Sequence, residues 1–117
     1  VRVAGMRCRK IAARLNDDNF SLHPDDLQKA IDQDRAKGLV PCALQLNWGS
    51  TNTCGLDDVN LFEALAKKEN IWVHVDAAYA GPAWALKEFR AAGEAVSRVA
   101  TSVNTNGSKW FLCGFDS

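Results

Sequence analysis

Ile71-Trp72-Val73-His74-Val75-Asp76-Ala77-Ala78-Tyr79-Ala80-Gly81-Pro82 runs from a compact apolar segment into a carboxylate and then into a loop of small residues. Ile71 to Val75 is rich in β-branched and aromatic residues and short enough to read as a buried strand ending at Asp76. Just before it, Leu61, Phe62, Leu65 and Ala66 have the i, i+1, i+4, i+5 spacing of one buried helical stripe, and Lys67 and Lys68 suit the negative end of the helix dipole. Further upstream, Leu39 to Asn47 reads as a strand followed by the glycine-containing run Gly49 to Gly55. Pro24, acidic Asp25 and Asp26, apolar Leu27, Ala30 and Ile31, and the stop Gly38 describe a helix before that strand. Lys10 to Leu15 is expected to be a strand that ends at the turn Asn16-Asp17-Asp18-Asn19, with a loop after it. Downstream, a helix is expected around Ala83 to Ala92 with Gly93 as its stop, then strands at Val99 to Val103 and Trp110 to Cys113. Strands alternating with helices imply crossover connections and a mostly parallel α/β sheet.

Length and composition narrow the field. A chain of 117 residues holds at most one domain with a small core. Fourteen basic and fourteen acidic residues cancel, so no electrostatic argument favours nucleic acid, an anionic membrane or a polyanionic partner. Cys8, Cys42, Cys54 and Cys113 are too scattered for zinc or redox motifs, and free thiols in a reducing, cytoplasmic setting are expected. No apolar run approaches the ~20 residues of a membrane span. The opening Val1-Arg2-Val3-Ala4-Gly5 and the close at Phe115-Asp116-Ser117 read as cut ends.

In an open parallel sheet, ligands bind beyond the carboxyl ends of the strands. Three polar clusters fall there: Gly49-Ser50-Thr51, Asp76, and Asn106-Gly107-Ser108-Lys109. A carboxylate at the end of an apolar strand needs a cation or hydrogen-bond donors, and a pyridinium nitrogen is one suitable partner; a capping or metal-binding aspartate is the alternative. Lys109 stands in an otherwise uncharged run from Val99 to Phe115, where partial desolvation would make its amine a nucleophile toward an aldehyde cofactor. Solvated surface lysine is the competing reading. His74 shares the strand face of Asp76 and is assigned a structural hydrogen bond. Tyr79 and Trp110 are candidates for lining an aromatic pocket, or for the core. No Ser-His-Asp arrangement, P-loop, Gly-x-Gly-x-x-Gly fingerprint or metal cluster is present in the sequence.

The stretch from Ile71 to Gly81, Glu88-Phe89-Arg90, and Asn104-Thr105-Asn106-Gly107-Ser108-Lys109-Trp110 with Phe115-Asp116 closely resemble the group II pyridoxal-phosphate (PLP) decarboxylases, in their aromatic-L-amino-acid decarboxylase branch. Val1 to Gly5, Ala36 to Pro41 and Gly49-Ser50-Thr51 fall in the same register, so the resemblance runs nearly end to end. It implies part of the large, PLP-binding catalytic domain of a fold-type-I transferase, residues 1 to 117 being incomplete at both ends. Lys109 would form the Schiff base and Asp76 would meet the pyridine nitrogen. Ala78 would pack on the ring, Thr51 would sit beside the cofactor, Asn106 would help hold the phosphate, and Ser108 would join the cofactor-binding residues. The implied reaction is loss of the alpha-carboxylate of an amino acid, aromatic by resemblance, to give the amine and carbon dioxide in a homodimeric enzyme.

The chain departs from the family pattern in two places. Gly107-Ser108 stands where the family usually has Pro-His before the lysine, which removes an imidazole beside the cofactor, and one extra residue lies between Arg90 and Thr101. Ser50 is a milder change. By the same resemblance, the family's ring-stacking His and further phosphate ligands lie upstream of Val1, and its mobile loop with the catalytic Tyr lies downstream of Ser117. The fragment alone is therefore expected to be inactive. An aromatic aldehyde synthase on the same fold, and a non-catalytic paralogue, remain the alternatives.

Overall fold

A computed structural model describes residues 3–16 and 19–115 of the chain. Asp17 and Asp18 of the expected turn, Val1 and Arg2 at the start, and Asp116 and Ser117 at the close lie outside them. The centre is a three-stranded parallel sheet of β3 (Ala43–Asn47), β4 (Trp72–Asp76) and β5 (Ser102–Asn104), in that spatial order. A small hairpin of β1 (Arg14–Asn16) and β2 (Asn19–Ser21) precedes the first helix, α1 (Pro24–Arg35). The helices α2 (Glu63–Glu69) and α3 (Arg90–Val99) complete the crossovers.

Alternation along the strands sorts the sheet into two faces. Leu44 and Leu46 of β3 and Val73 and Val75 of β4 are buried, the last three almost completely. They meet Phe62, Ala66, Val96, Leu27 and Ile31 in one apolar cluster. The opposite face carries Gln45, Trp72, His74 and Ser102 and is not buried. Parallel sheets are normally covered on both faces.

Helix α1 has the ends its sequence encodes. His23 caps it, with Nδ1 accepting from Asp25 N at 3.3 Å, Pro24 opens it, and Gly38 closes the following turn at a left-handed φ of +73°. Arg14 forks onto Asp26 in the first turn through two bonds of 2.6 Å, tying the hairpin to α1.

Several expected boundaries move. The Lys10–Leu15 strand is confined to Arg14–Asn16, and Arg9 reaches α1 through its side chain, donating to Ala30 O at 3.1 Å. The loop expected next contains a strand, β2. Pairing of β3 with β4 begins only at Cys42, whose carbonyl accepts from Trp72 N at 3.0 Å. The expected 61–68 helix begins as a 3-10 turn at Val59–Phe62, and three residues per turn shifts the buried stripe to Val59, Phe62 and Ala66, leaving Leu61 exposed. Residues 83–92 are not one helix. Two 3-10 turns, Gly81–Ala85 and Lys87–Phe89, precede α3, and Gly93 lies inside it. Gly93 is there for close approach, since a Cβ would come within 3.0 Å of Trp84 Cβ. The expected strand at Trp110–Cys113 is a turn, with Leu112 left-handed at φ 54° and Cys113 N donating back to Gly107 O at 3.0 Å. The Val99–Val103 strand starts later, because α3 runs through Val99.

Candidate cofactor site at the carboxyl edge of the sheet

Parallel register sets Asn47, Asp76 and Asn104 side by side at the carboxyl ends of β3, β4 and β5. Backbone bonds continue across the edge, from Trp48 N to Asp76 O at 2.8 Å and from Ala77 N to Asn104 O at 2.9 Å. The loops that follow the three strands interlock through two glycines. Gly49 is left-handed at φ +80°, and a Cβ there would collide with Ala80 Cβ. At Gly81 a Cβ would approach Thr105 Cγ2 to 2.8 Å. Both positions need the space only glycine leaves.

The loop after β3 is held by Asp57, a residue the sequence reading passed over. Its Oδ1 accepts from Leu22 N at 2.6 Å and its Oδ2 from Asn47 N at 2.7 Å, so one carboxylate joins β2's end to β3. Asp57 N donates to Asn47 O at 2.8 Å. The only sequence signal was an acidic pair, Asp57-Asp58, ahead of an apolar run, which resembles helix capping and is used that way by Asp58, whose Oδ1 accepts from Asn60 N. Ser50 Oγ and Thr53 Oγ1 lie 2.6 Å apart and tighten the loop tip.

This frame presents Thr51 to Lys109. Lys109 Nζ donates to Thr51 Oγ1 at 3.1 Å and stands 5.9 Å from the centroid of the Tyr79 ring. Tyr79 in turn meets Trp110 edge-on, with centroids 5.2 Å apart. The expected aromatic pair therefore flanks the lysine. The apolar run around Lys109 does not enclose it, however: the lysine is half-buried, while Trp110 and Phe111 are 47% and 53% exposed, because the chain turns there instead of entering the sheet.

Asp76 is half-buried, and its Oδ1 takes two donors, Ala78 N at 3.0 Å and Asn104 Nδ2 at 3.3 Å. Its Oδ2 has no partner among the described residues. The Asn106 side-chain oxygen accepts from Ser108 N at 2.8 Å and Ser108 Oγ at 2.6 Å, which leaves the amide N–H groups of Asn106 available. Asp76 and Lys109 make no direct contact and are bridged by the 77–80 loop that carries Tyr79. His74 takes the structural role assigned to it, with Nδ1 2.8 Å from Ser102 Oγ on the neighbouring strand.

A carboxylate, a primary amine, a hydroxyl and an amide donor thus gather on one sheet edge. Residues 1–117 match the family model of the pyridoxal-dependent decarboxylase conserved domain. The chain belongs to the pyridoxal-dependent decarboxylase family. It is 40% identical over 114 residues to an aromatic-L-amino-acid decarboxylase of Drosophila lebanonensis, covering 97% of this chain and 27% of that protein. To the histidine decarboxylase of Homo sapiens it is 41% identical over 100 residues, covering 86% of this chain and 15% of that protein. Among solved structures, the 4-hydroxyphenylacetaldehyde synthase of Rhodiola rosea superimposes with a TM-score of 0.85 at 31% identity, over 95% of this chain and 24% of that one. The α/β fold with a parallel sheet expected from the sequence is therefore that of the pyridoxal-dependent decarboxylases. The chain spans about a quarter or less of these relatives.

The four cysteines are free and exposed, as expected. No cluster of metal-ligating side chains occurs among the described residues, and no helix is long and apolar enough to cross a membrane.

Proposed function

We propose that this chain is part of the PLP-binding catalytic domain of an amino-acid decarboxylase, incomplete at both ends, and that its substrate is an L-amino acid with an aromatic side chain. The observation that carries the reading is the arrangement at the carboxyl edge: Asp76 with one oxygen held twice and the other open, beside a loop system in which Lys109 reaches Thr51. Those donor types fit the group. Asp76 Oδ2 would meet the protonated ring nitrogen, Lys109 would carry the cofactor, Ala78 would pack on the ring, and Asn106 would donate its free N–H to the phosphate. Thr51 holds Lys109 Nζ toward the site, and Ser108 orients Asn106.

Bound PLP supplies an electron-withdrawing ring that accepts the electron pair left when the substrate's alpha-carboxylate departs as carbon dioxide. The chain's part is orientation and charge. The Asp76 carboxylate would hold the ring nitrogen protonated through Oδ2. Lys109, whose Nζ lies beside Thr51 Oγ1 and the Tyr79 ring, would be an amine placed to move a proton at the substrate.

Support for an aromatic substrate comes from the family relatives and from the pair of half-buried Tyr79 and exposed Trp110, an aromatic surface for a second ring. The similarity to an aldehyde synthase favours a second reading, decarboxylation coupled to oxidative deamination with dioxygen taken up as the oxidant and hydrogen peroxide released, on the same residues. A homodimer and a cytoplasmic location belong to the same proposal, supported by the uncovered apolar side chains near the C-terminal end and by four free thiols. Incubating the full-length protein and PLP with L-tryptophan, L-tyrosine, L-phenylalanine and L-histidine tests the reading. Carbon dioxide with an equal yield of amine is expected. Aldehyde and ammonia in place of amine would favour the second reading, and no carbon dioxide from any of them would overturn the first.

A further inference from the structure

We infer that Asn104 is a positioning residue for Asp76, fixing the carboxylate so that Oδ2 is the oxygen offered to the cofactor's ring nitrogen; the inference rests on the PLP reading above. Two asparagines flank Asp76 in register, Asn47 on β3 and Asn104 on β5. Asn47 turns away: its Nδ2 donates to Gly55 O at 3.0 Å, and it serves the loop after β3. Asn104 turns toward the carboxylate, and its Nδ2 donates to Asp76 Oδ1 at 3.3 Å. The second donor on that oxygen, Ala78 N, comes from Asp76's own loop. One donor leaves a carboxylate free to rotate about its last bond; two donors, one from its own loop and one from the neighbouring strand, fix both its plane and which oxygen stays open.

The register that brings Asn104 there is itself pinned. Ser102, two residues earlier on the same face, accepts from Trp72 Nε1 at 2.9 Å and lies 2.8 Å from His74 Nδ1. Thr101 N donates to Val73 O at 2.8 Å, while Val73 N donates to Thr101 Oγ1 at 3.2 Å. A slip of one residue would turn Asn104 to the opposite face. Since Asn104 is exposed and its backbone bond to Ala77 N does not involve the side chain, substitution there removes a donor without opening the core.

The test compares PLP with its analogue carrying C–H in place of the ring nitrogen, binding each to the full-length apo protein as wild type, Asn104→Ala and Asn104→Asp. Asn104→Ala is expected to weaken PLP binding about three- to tenfold, the worth of one hydrogen bond, and to leave the analogue's affinity unchanged. Asn104→Asp keeps the size, replaces the donor with a like charge, and is expected to weaken PLP more. In an Asp76→Ala background, Asn104→Ala is expected to add nothing. Equal weakening for both ligands, or none for PLP, would overturn the inference while the PLP reading stands. A wild type that binds no PLP would overturn both.

Discussion

Lys109 and Asp76 each have an ordinary explanation as isolated residues, a solvated lysine and a capping aspartate, and the fold adds Thr51 and Tyr79 beside the one and Asn104 beside the other. Legibility at this scale followed the range of the interaction. Asp76 was readable because a carboxylate closing an apolar strand is a local anomaly. Asp57 was not, because its partners Leu22 and Asn47 lie 35 and 10 residues away and its one local mark, the Asp57-Asp58 pair, reads as helix capping. The apolar surroundings of Lys109 were misread for a related reason: a run of hydrophobic letters specifies burial only if the chain enters the core, and here it turns at Leu112. Asp57→Ala leaves two backbone N–H groups without their charged acceptor and is expected to cost about 2–4 kcal/mol, read as a drop in the denaturant midpoint. Gly49→Ala meets both a left-handed φ and the Ala80 Cβ, and is expected to destabilise by roughly 1–3 kcal/mol and to weaken PLP binding through the displaced Thr51. Thermal melts and cofactor titration of the two variants would check both effects.

At the scale of elements, the parts with self-contained signals appear where expected. Helix α1 has its cap, its proline, its acidic first turn and its closing glycine, and β4 has its run of large apolar residues. Segments 59–69 and 81–99 were harder because 3-10 turns shift the phase of a periodic pattern, and because Gly93 serves packing against Trp84 although a helical glycine usually reads as a stop. The link from hairpin to α1 gives a pH prediction. The hydrogen bond from the Arg14 guanidinium holds the Asp26 carboxyl below the usual aspartate range. The folded state therefore binds this proton less readily than the unfolded chain. The stabilisation is present above the ordinary aspartate pKa of about 4 and is lost as pH falls through the lower folded value. The stability difference between wild type and Asp26→Asn is expected to be constant from neutral to mildly acidic pH and to shrink below about pH 4. A difference unchanged in strong acid would contradict it.

Taken whole, the molecule has a core on one side of its sheet only. Its radius of gyration, 15.0 Å, exceeds the about 13 Å of a compact domain of this length, and Trp72, Val103, Leu112 and Phe115 are 53%, 44%, 88% and 93% exposed. Uncovered apolar side chains and open edges at β3 and β5 promote association. Residues 1–117 produced alone are expected to self-associate in light scattering, less so as the Leu112→Ser, Phe115→Ser double variant; a stable monomer at high concentration would contradict this. Family membership was legible from the ordered motifs, and the chain spans 27% and 15% of these much longer relatives. The proposed function turns on Lys109 as the residue that carries the cofactor. The most direct measurement is the visible absorbance of the full-length protein titrated with PLP, wild type against Lys109→Ala. A saturable protein-dependent cofactor band is expected in the wild type and is expected to be lost in Lys109→Ala; no band in the wild type, or an unchanged one in the variant, would overturn the role of Lys109.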